Sequence, residues 1–171
     1  METIKKLEDQ IEKILKPLPH LPADGRKWLS ENLWWLTIVG VVIDAGVLLG
    51  IYRTATYVNT ITNYLAAYGI SSASGWTASL TISLILLAIS AVLMLLAVNP
   101  LKEQKKQGWD LLFYAAIIGV ASSVVTAVLD FSFGDIVSRL IGAAFGAAVS
   151  AYFLFEIRSN FNSVKVLKKK Q

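Results

Sequence analysis

The stretch that decides the fold is residues 76–98, WTASLTISLILLAISAVLMLLAV, which contains no charged side chain. An apolar run of about 18 residues or more is long enough to cross the hydrocarbon core of a membrane as a helix. Further runs of this kind occupy residues 33–52, 109–129 and 136–155. The whole chain of 171 residues is 55% hydrophobic and 16% charged, whereas a soluble domain is about a quarter charged. The sequence therefore predicts an integral membrane protein with four spans.

Basic residues are distributed unevenly around these spans, and their positions predict the orientation of the chain. Every Lys and Arg except Arg53 and Arg139 lies in residues 1–32, 99–108 or 156–171. Because Lys and Arg are enriched on the cytoplasmic side, both termini are predicted to be cytoplasmic. Tryptophans at the inner ends of the first and third spans are predicted to be interfacial anchors. These anchors are Trp28, Trp34, Trp35 and Trp109.

The chain divides into four segments. Residues 1–18 place apolar side chains at helical 3-4 spacing, which predicts an amphipathic helix. This helix fits either the surface of the inner leaflet or a short coiled coil with a second copy. Residues 19–32 are predicted to be a linker, because the prolines around His20 interrupt a helix. Residues 33–155 hold the four spans, and residues 156–171 form a basic cytoplasmic tail.

The predicted fold is an all-α membrane protein with an up-down-up-down bundle of four transmembrane helices. The short connection between the second and third spans favours antiparallel neighbours. Residues 53–75 form the one long outer connection. Within it Tyr57, Ile61, Tyr64 and Tyr68 share a helical face, so a short outer interfacial helix is predicted there.

Three segments of the sequence resemble those of a known group of membrane proteins. They are LPADGRKWLSENLWWL (21–36), KKQGWDLLFY (105–114) and AYFLFEIRS (151–159). The chain is similar in these to small, largely uncharacterised four-span integral membrane proteins of ultra-small candidate-phyla bacteria. The resemblance implies a bacterial cytoplasmic membrane and a four-helix fold. It implies no established activity and no catalytic residue.

Asp44 lies near the middle of the first predicted span, where a charged carboxylate costs about 2.5–3.5 kcal/mol. Helical geometry places Gly40 on the same face as Asp44 and places Gly46 and Gly50 on the opposite face. In the fourth span, Arg139 is predicted to share a face with two glycines, Gly142 and Gly146. Because the first and fourth helices of such a bundle are neighbours, Asp44 and Arg139 are candidates for an ion pair. Arg139 is alternatively expected to reach outward to lipid phosphates.

Several hydroxyl side chains are predicted at a depth in the membrane similar to that of Asp44. Together with Asp44 they form a possible polar layer or ion pathway. They are Ser83, Ser122, Ser123 and Thr126. Asp44 has three open interpretations: a hydrogen-bonded residue that fixes the packing, part of an ion, proton or solute path, or a residue at an unwound site. The GxxxG spacing of Gly46 and Gly50, and of Gly142 and Gly146, predicts close helix packing and self-association.

The sequence does not favour an enzyme. It has no Cys and one His, and it contains neither a catalytic triad pattern nor a phosphate loop, so we expect no catalytic residue, no metal and no cofactor. The predicted function is that of a scaffold, structural or accessory subunit acting through helix packing. The alternative is an oligomeric channel or transporter that uses Asp44. Expected partners are the lipid bilayer, anionic lipid at the basic inner side and further copies, but not nucleic acid. Another membrane protein is a further candidate partner.

Overall fold

The computed structural model describes residues 2–70, 77–129 and 133–162, and over these ranges it is all-helical. Its helices are α1 (Glu2–Leu15), α2 (Ala23–Ala67), α3 (Ala78–Lys102), α4 (Lys106–Leu129), α5 (Phe133–Glu156) and α6 (Arg158–Asn162). Among the described residues, α2, α3 and the Lys106–Ala127 part of α4 are long and apolar enough to cross a membrane. In α5 the described apolar part, Leu140–Glu156, is shorter. The prediction of an all-α fold is confirmed over the described residues, and three of its helices have the length and apolar composition that a membrane span requires.

Helix α2 is much longer than the first predicted span. It contains 45 residues and is therefore about 67 Å long. It begins directly after Pro22, so residues 23–32, which were predicted to be part of the linker, are helical. It also continues through residues 53–67, so the short outer helix predicted there is not a separate element. No Gly or Pro interrupts residues 51–67, and the chain leaves the helix only near Gly69, which has a φ of +75°.

The four long helices pack as an open row in chain order. Helix α3 packs on α2, α4 packs on α3, and α5 packs on α4. Over the described ranges, α2 and α5 do not form a packed pair, so the expectation that they are neighbours in a closed bundle is wrong. The hairpin of α3 and α4 has the most extensive contact in the row, because its short connection holds the two helices side by side. One flank of α2 and one flank of α5 are left open.

The turn between α3 and α4 explains why that contact is close. Gln104 adopts a left-handed conformation with a φ of 51°, and the backbone N–H of Lys105 donates to the carbonyl of Pro100 at 2.9 Å. Gly108 then passes directly over the end of α3. A Cβ atom at this position would lie 2.7 Å from the backbone nitrogen of Leu101. Only glycine permits this approach of two backbones.

The buried core lies at the end of the row where α3 ends and α4 begins. Its fully buried side chains include Leu101, Trp109 and Ile157. Ile11 of α1 packs against this core. Trp109 was predicted to be an interfacial anchor, and that prediction is wrong, because α5 and α6 cover the indole completely. Many apolar side chains farther along the long helices remain exposed, as expected for surfaces that contact lipid.

We predict that Gly108→Ala destabilises the protein by about 1–3 kcal/mol, because the added methyl group forces the α3–α4 turn apart. The matched control is Gly119→Ala on α4, where an added Cβ meets nothing within 4 Å. Thermal unfolding in detergent micelles measures both variants. A melting temperature of the Gly108→Ala variant at or above that of the control would contradict the close approach.

Candidate functional site

The most extensive polar contacts between distant segments surround Arg158, the first residue of α6. Its Nη2 donates to Oε2 of Glu8 at 2.7 Å, and its Nη1 donates to Glu12. The side chains of Arg158 and Glu8 are 18% and 8% exposed, so this ion pair is largely removed from water. The two acidic residues are one helical turn apart on α1. Arg158 therefore holds α1 across the base of α5.

Aromatic rings support the guanidinium group of Arg158. Its Cζ atom lies 5.3 Å from the ring centroid of Trp109 and 5.6 Å from that of Phe155, both within the range of cation–π attraction. The indole Nε1–H of Trp109 donates to the carbonyl oxygen of Leu154 at 2.7 Å. That carbonyl is one of the last four of α5, which have no partner within the helix. Trp109 thus both caps the end of α5 and positions the guanidinium group of Arg158.

The linker between α1 and α2 is fastened to the same end of the molecule. Glu156 accepts hydrogen bonds from Nδ1 of His20 and, at 3.1 Å, from the backbone N–H of Leu21. The hydroxyl of Tyr152 donates to the carbonyl of Pro19 at 2.6 Å. Tyr152 thus supplies a donor to the proline-rich linker, and Glu156 accepts from two donors that the linker has. They fix the path of the chain from α1 to α2.

Helix α6 also contacts the start of α2. The side-chain amide of Asn160 donates to Oγ of buried Ser30 at 2.9 Å and to the carbonyl of Arg26 at 3.3 Å. These contacts, together with those of Arg158 and Glu156, form what we call the basal junction. Sequence reasoning missed it and assigned Arg158 to a basic tail. The available signal was the i,i+4 pair of acids beside the apolar stripe of α1.

Asp44 lies on the side of α2 that faces α3. Residues of this side are more buried than their neighbours, and Thr37 is fully buried there. Asp44 itself is half-buried and makes no hydrogen bond or ion pair within the described part of the chain. A Cβ atom at Gly40 would lie 2.8 Å from Cε of Met94, which fixes the alignment of α2 against α3. Because the two helices are antiparallel, Asp44 is level with about Ser90.

The polar layer predicted around Asp44 is not one layer. The hydroxyls of Ser83 on α3 and Thr126 on α4 are 2.7 Å apart, so these two residues do meet. Ser83, however, is seven residues from Ser90, which places this contact about 10 Å farther out than Asp44. Ser122 is half-buried, and Ser123 is exposed and donates to the carbonyl of Gly119 within α4. Asp44 is therefore separate from the hydroxyl groups.

The glycines of the two GxxxG spacings have different surroundings from those predicted within one chain. The side chain of Arg139 lies outside the described residues, and the open row keeps α5 away from α2. Added Cβ atoms at Gly46, Gly50, Gly142 and Gly146 would each meet nothing within 4 Å. Within one chain these glycines do not pack against another helix.

The predicted anchors on α2 remain near the surface. Trp28 is exposed, and the indole Nε1–H of Trp35 donates to Oδ1 of Asn32 at 2.8 Å. Nζ of Lys102 lies 4.5 Å from the ring centroid of Trp34, which links α2 to the end of α3. An aromatic ring with a polar partner at the start of the first predicted span suits the boundary between hydrocarbon and headgroups.

An apolar groove of about 800 Å³ lies between α4 and α5, and α1 closes one end of it. Its walls are formed by residues from Phe113 to Ser123 on α4 and from Ala143 to Leu154 on α5. Leu7, Ile11, Ile14 and Leu15 of α1 line the closed end. The sequence predicted the apolar stripe of α1 but not the groove, because the groove depends on how α1 crosses α5.

No group of three or more His, Cys, Asp and Glu side chains in the described ranges could hold a metal ion. No known protein family, curated protein or solved structure matches this chain. The resemblance to four-span bacterial membrane proteins therefore stays a prediction. The basal junction, the open flank of α2 and the groove are the features from which function is argued.

We predict that Arg158→Met releases α1, because it leaves Glu8 buried without its cation at a cost of about 3–5 kcal/mol. Limited proteolysis and hydrogen exchange of residues 2–22 measure the release. The matched control is Lys105→Met, which removes an exposed pair with Glu103 worth about 0–1 kcal/mol.

Adding Glu8→Leu to Arg158→Met removes the unpaired carboxylate and is expected to restore part of the protection. Unchanged protection of residues 2–22 in Arg158→Met would show that the ion pair does not hold α1.

Proposed function

We propose that this protein is a non-enzymatic multi-pass protein of the bacterial cytoplasmic membrane that acts by assembling with further copies of itself. In this proposal α2, α3, α4 and α5 all cross the membrane, and both termini are cytoplasmic. The distribution of basic residues supports this orientation. The resemblance noted for residues 21–36, 105–114 and 151–159 agrees with it. The role is that of a structural or accessory subunit.

The observation that carries the proposal is an exposed stripe in two halves along the flank of α2 that faces away from α3. Within each half its members recur every three or four residues, and the two halves, separated by Arg53 and Thr54, lie on one side of the helix. In chain order they are Val39, Ile43, Gly46, Gly50, Tyr57, Ile61, Tyr64 and Tyr68. We call this the α2 stripe. Arg53 is the only charge near it, between its membrane half and its outer half.

Lipid does not account for the outer half of this stripe. Helix α2 is about 67 Å long, whereas a bilayer with its headgroups is about 40–45 Å thick. The helix therefore projects into water beyond Arg53, where Tyr57, Tyr64 and Tyr68 are each more than 60% exposed. A contiguous apolar and aromatic surface in water is typical of a protein interface.

A second copy fits the whole length of the α2 stripe. The 3-4 spacing suits a coiled-coil contact of two α2 helices, and a two-fold axis brings the same stripe of each copy together. In the membrane half, Gly46 and Gly50 allow the two backbones to approach. In the outer half, the aromatic side chains leave water. The open flank of α2 thus gains a partner that the single chain does not supply.

A second candidate function is an oligomeric channel or transporter for an ion, a proton or a small solute. The observation that favours it is the half-buried carboxyl of Asp44 in the membrane half of α2, which has no hydrogen-bond or ion-pair partner among the residues that the structure describes. Acidic residues within membrane segments commonly mark such paths. Asp44 lies on the α3 side of the helix, away from the α2 stripe, so the two proposals make separate predictions.

For self-association, we predict that Gly46→Ile combined with Gly50→Ile shifts the protein towards the monomer, because the added side chains separate the two backbones. Ile61→Glu combined with Tyr64→Glu is expected to do the same through charge repulsion in the outer half. Each pair should weaken association about ten-fold or more, which corresponds to roughly 1.4 kcal/mol. Mass photometry in lipid nanodiscs and cross-linking in native membranes measure the oligomer.

Matched controls change the same helix outside the stripe: Ala45→Ile in the membrane half and Asn63→Glu in the outer half, both at exposed positions. They should associate as the unchanged protein does. A monomeric unchanged protein, or equal effects of stripe and control variants, would overturn the proposal. If Gly142→Ile with Gly146→Ile alone disrupts the oligomer, the interface lies on α5 instead.

For the second candidate, purified protein in liposomes should dissipate an imposed proton or ion gradient faster than empty liposomes. Asp44→Leu is then expected to abolish the flux, while Asp44→Asn retains hydrogen bonding but removes the charge. The oligomer of both variants is measured alongside, so that a loss of assembly is recognised. No flux from the unchanged protein, or full flux from Asp44→Leu, rejects a path through Asp44.

A further inference from the structure

We propose that the groove between α1, α4 and α5 binds one acyl chain of an anionic phospholipid from the inner leaflet, with its headgroup at Lys6 and Lys13. The inference rests on the proposed position of α5 in the membrane, but it does not depend on self-association. Its support comes from the length of the groove, its lining, its closed end and the charge beside it.

The length of the groove matches one leaflet. From Leu154 to Ala143 it follows α5 for eleven residues, or about 17 Å. On α4 it runs from Phe113 to Ser123, or about 15 Å. The hydrocarbon core of a bilayer is about 30 Å thick, so one leaflet contributes about 15 Å. The groove thus begins at the cytoplasmic boundary and ends near the middle of the membrane.

The lining suits a flexible hydrocarbon chain. Small residues, including Gly119, Gly146 and Ala147, leave room between the two helices. Apolar side chains such as Ile117 and Leu154 form most of the remaining wall. Apolar contact without a directional hydrogen-bonding pattern is what an acyl chain offers.

The closed end separates an acyl chain from a transmembrane helix as the occupant. Leu7, Ile11 and Ile14 of α1 lie across the cytoplasmic end, and the basal junction holds α1 there through Arg158. A helix crossing the whole membrane along this groove would have to displace α1. A single acyl chain ends within the leaflet and leaves the junction intact.

Charge beside the closed end favours an anionic headgroup. Lys6 and Lys13 are both exposed, and helical geometry places them next to Leu7 and Ile14 on one flank of α1, with Asp9 between them. The other flank carries the two acids that bind Arg158. Among the exposed side chains of the first flank the two lysines outnumber the one acid, and lysines beside an apolar face are the groups by which interfacial helices bind anionic lipid. The phosphate of such a lipid would lie at these two lysines while its chain enters the groove.

The test is photolabelling in vesicles with a phosphatidylglycerol that carries a diazirine on its acyl chain. The full chain is reconstituted, irradiated and mapped by peptide mass spectrometry. We expect labelling of residues 143–154 and 113–123, and much weaker labelling by phosphatidylcholine with the same acyl chain. Ala147→Phe should abolish groove labelling, whereas Val149→Phe, on a different side of α5, should leave it unchanged.

Lys6→Gln and Lys13→Gln should each reduce groove labelling by phosphatidylglycerol about five-fold, the effect of one basic residue near an anionic surface. Lys27→Gln and Lys105→Gln remove equal charge elsewhere at the same end and should have little effect. Equal labelling by the two lipids, or no effect of the two α1 variants, overturns the proposal. Cross-links between two copies at the groove also overturn it, because they identify a second chain as the occupant.

Labelling of α3 separates this result from the function proposed above. Exposed apolar residues of α3, such as Ile82 and Leu95, should be labelled by any acyl probe if the chain spans the membrane. Labelled α3 with an unlabelled groove rejects the lipid site alone. Unlabelled α3 rejects the membrane arrangement on which both proposals depend. The oligomer is measured on the same samples, so self-association is judged independently.

Discussion

The ion pair between Arg158 and Glu8 is the contact on which the basal junction depends. A largely buried guanidinium group needs an opposite charge close by, and here α1 supplies carboxylates to both Nη groups while Trp109 and Phe155 supply aromatic faces. Nε of Arg158 is buried without a hydrogen-bond partner among the described residues. The position of α1 then determines the path of the linker and the closed end of the groove. One contact between residues far apart in the sequence thus fixes the positions of α1, the linker and the closed end of the groove.

Much of the fold follows from local sequence. The apolar runs predicted the long helices, because a helix in lipid satisfies every backbone group internally. The 3-4 spacing of residues 1–18 predicted α1. The length of α2 was missed, since the change from aliphatic to Thr- and Tyr-rich sequence after Arg53 was interpreted as the end of a helix. Residues 51–67 contain neither Gly nor Pro, so nothing in this sequence ends the helix before Gly69.

The candidate site was harder to predict, because its contacts connect distant parts of the chain. Trp109 has the sequence surroundings of an interfacial anchor, and only the packing of α5 and α6 makes it a buried residue. Gly40 and Gly46 lie on the same apolar helix, yet one meets Met94 and the other meets open space. Ser83 and Thr126 were predicted at one depth and do meet, whereas Asp44 lies at another level. The residue types identified the candidate functional groups, but they did not show which of these groups are in contact.

The unbroken path of α2 has a mechanical consequence. Its buried residues Thr37 and Ala55 lie on the side that faces α3, and roughly 20 Å of helix continues beyond each of them. A helix with two nearly equal arms behaves as a balanced lever. A sideways push on the arm that carries Tyr57, Tyr64 and Tyr68 would tilt α2 about α3 and load the opposite arm. That opposite arm carries Arg26 and Ser30, which bond to Asn160, so the load is passed to α6.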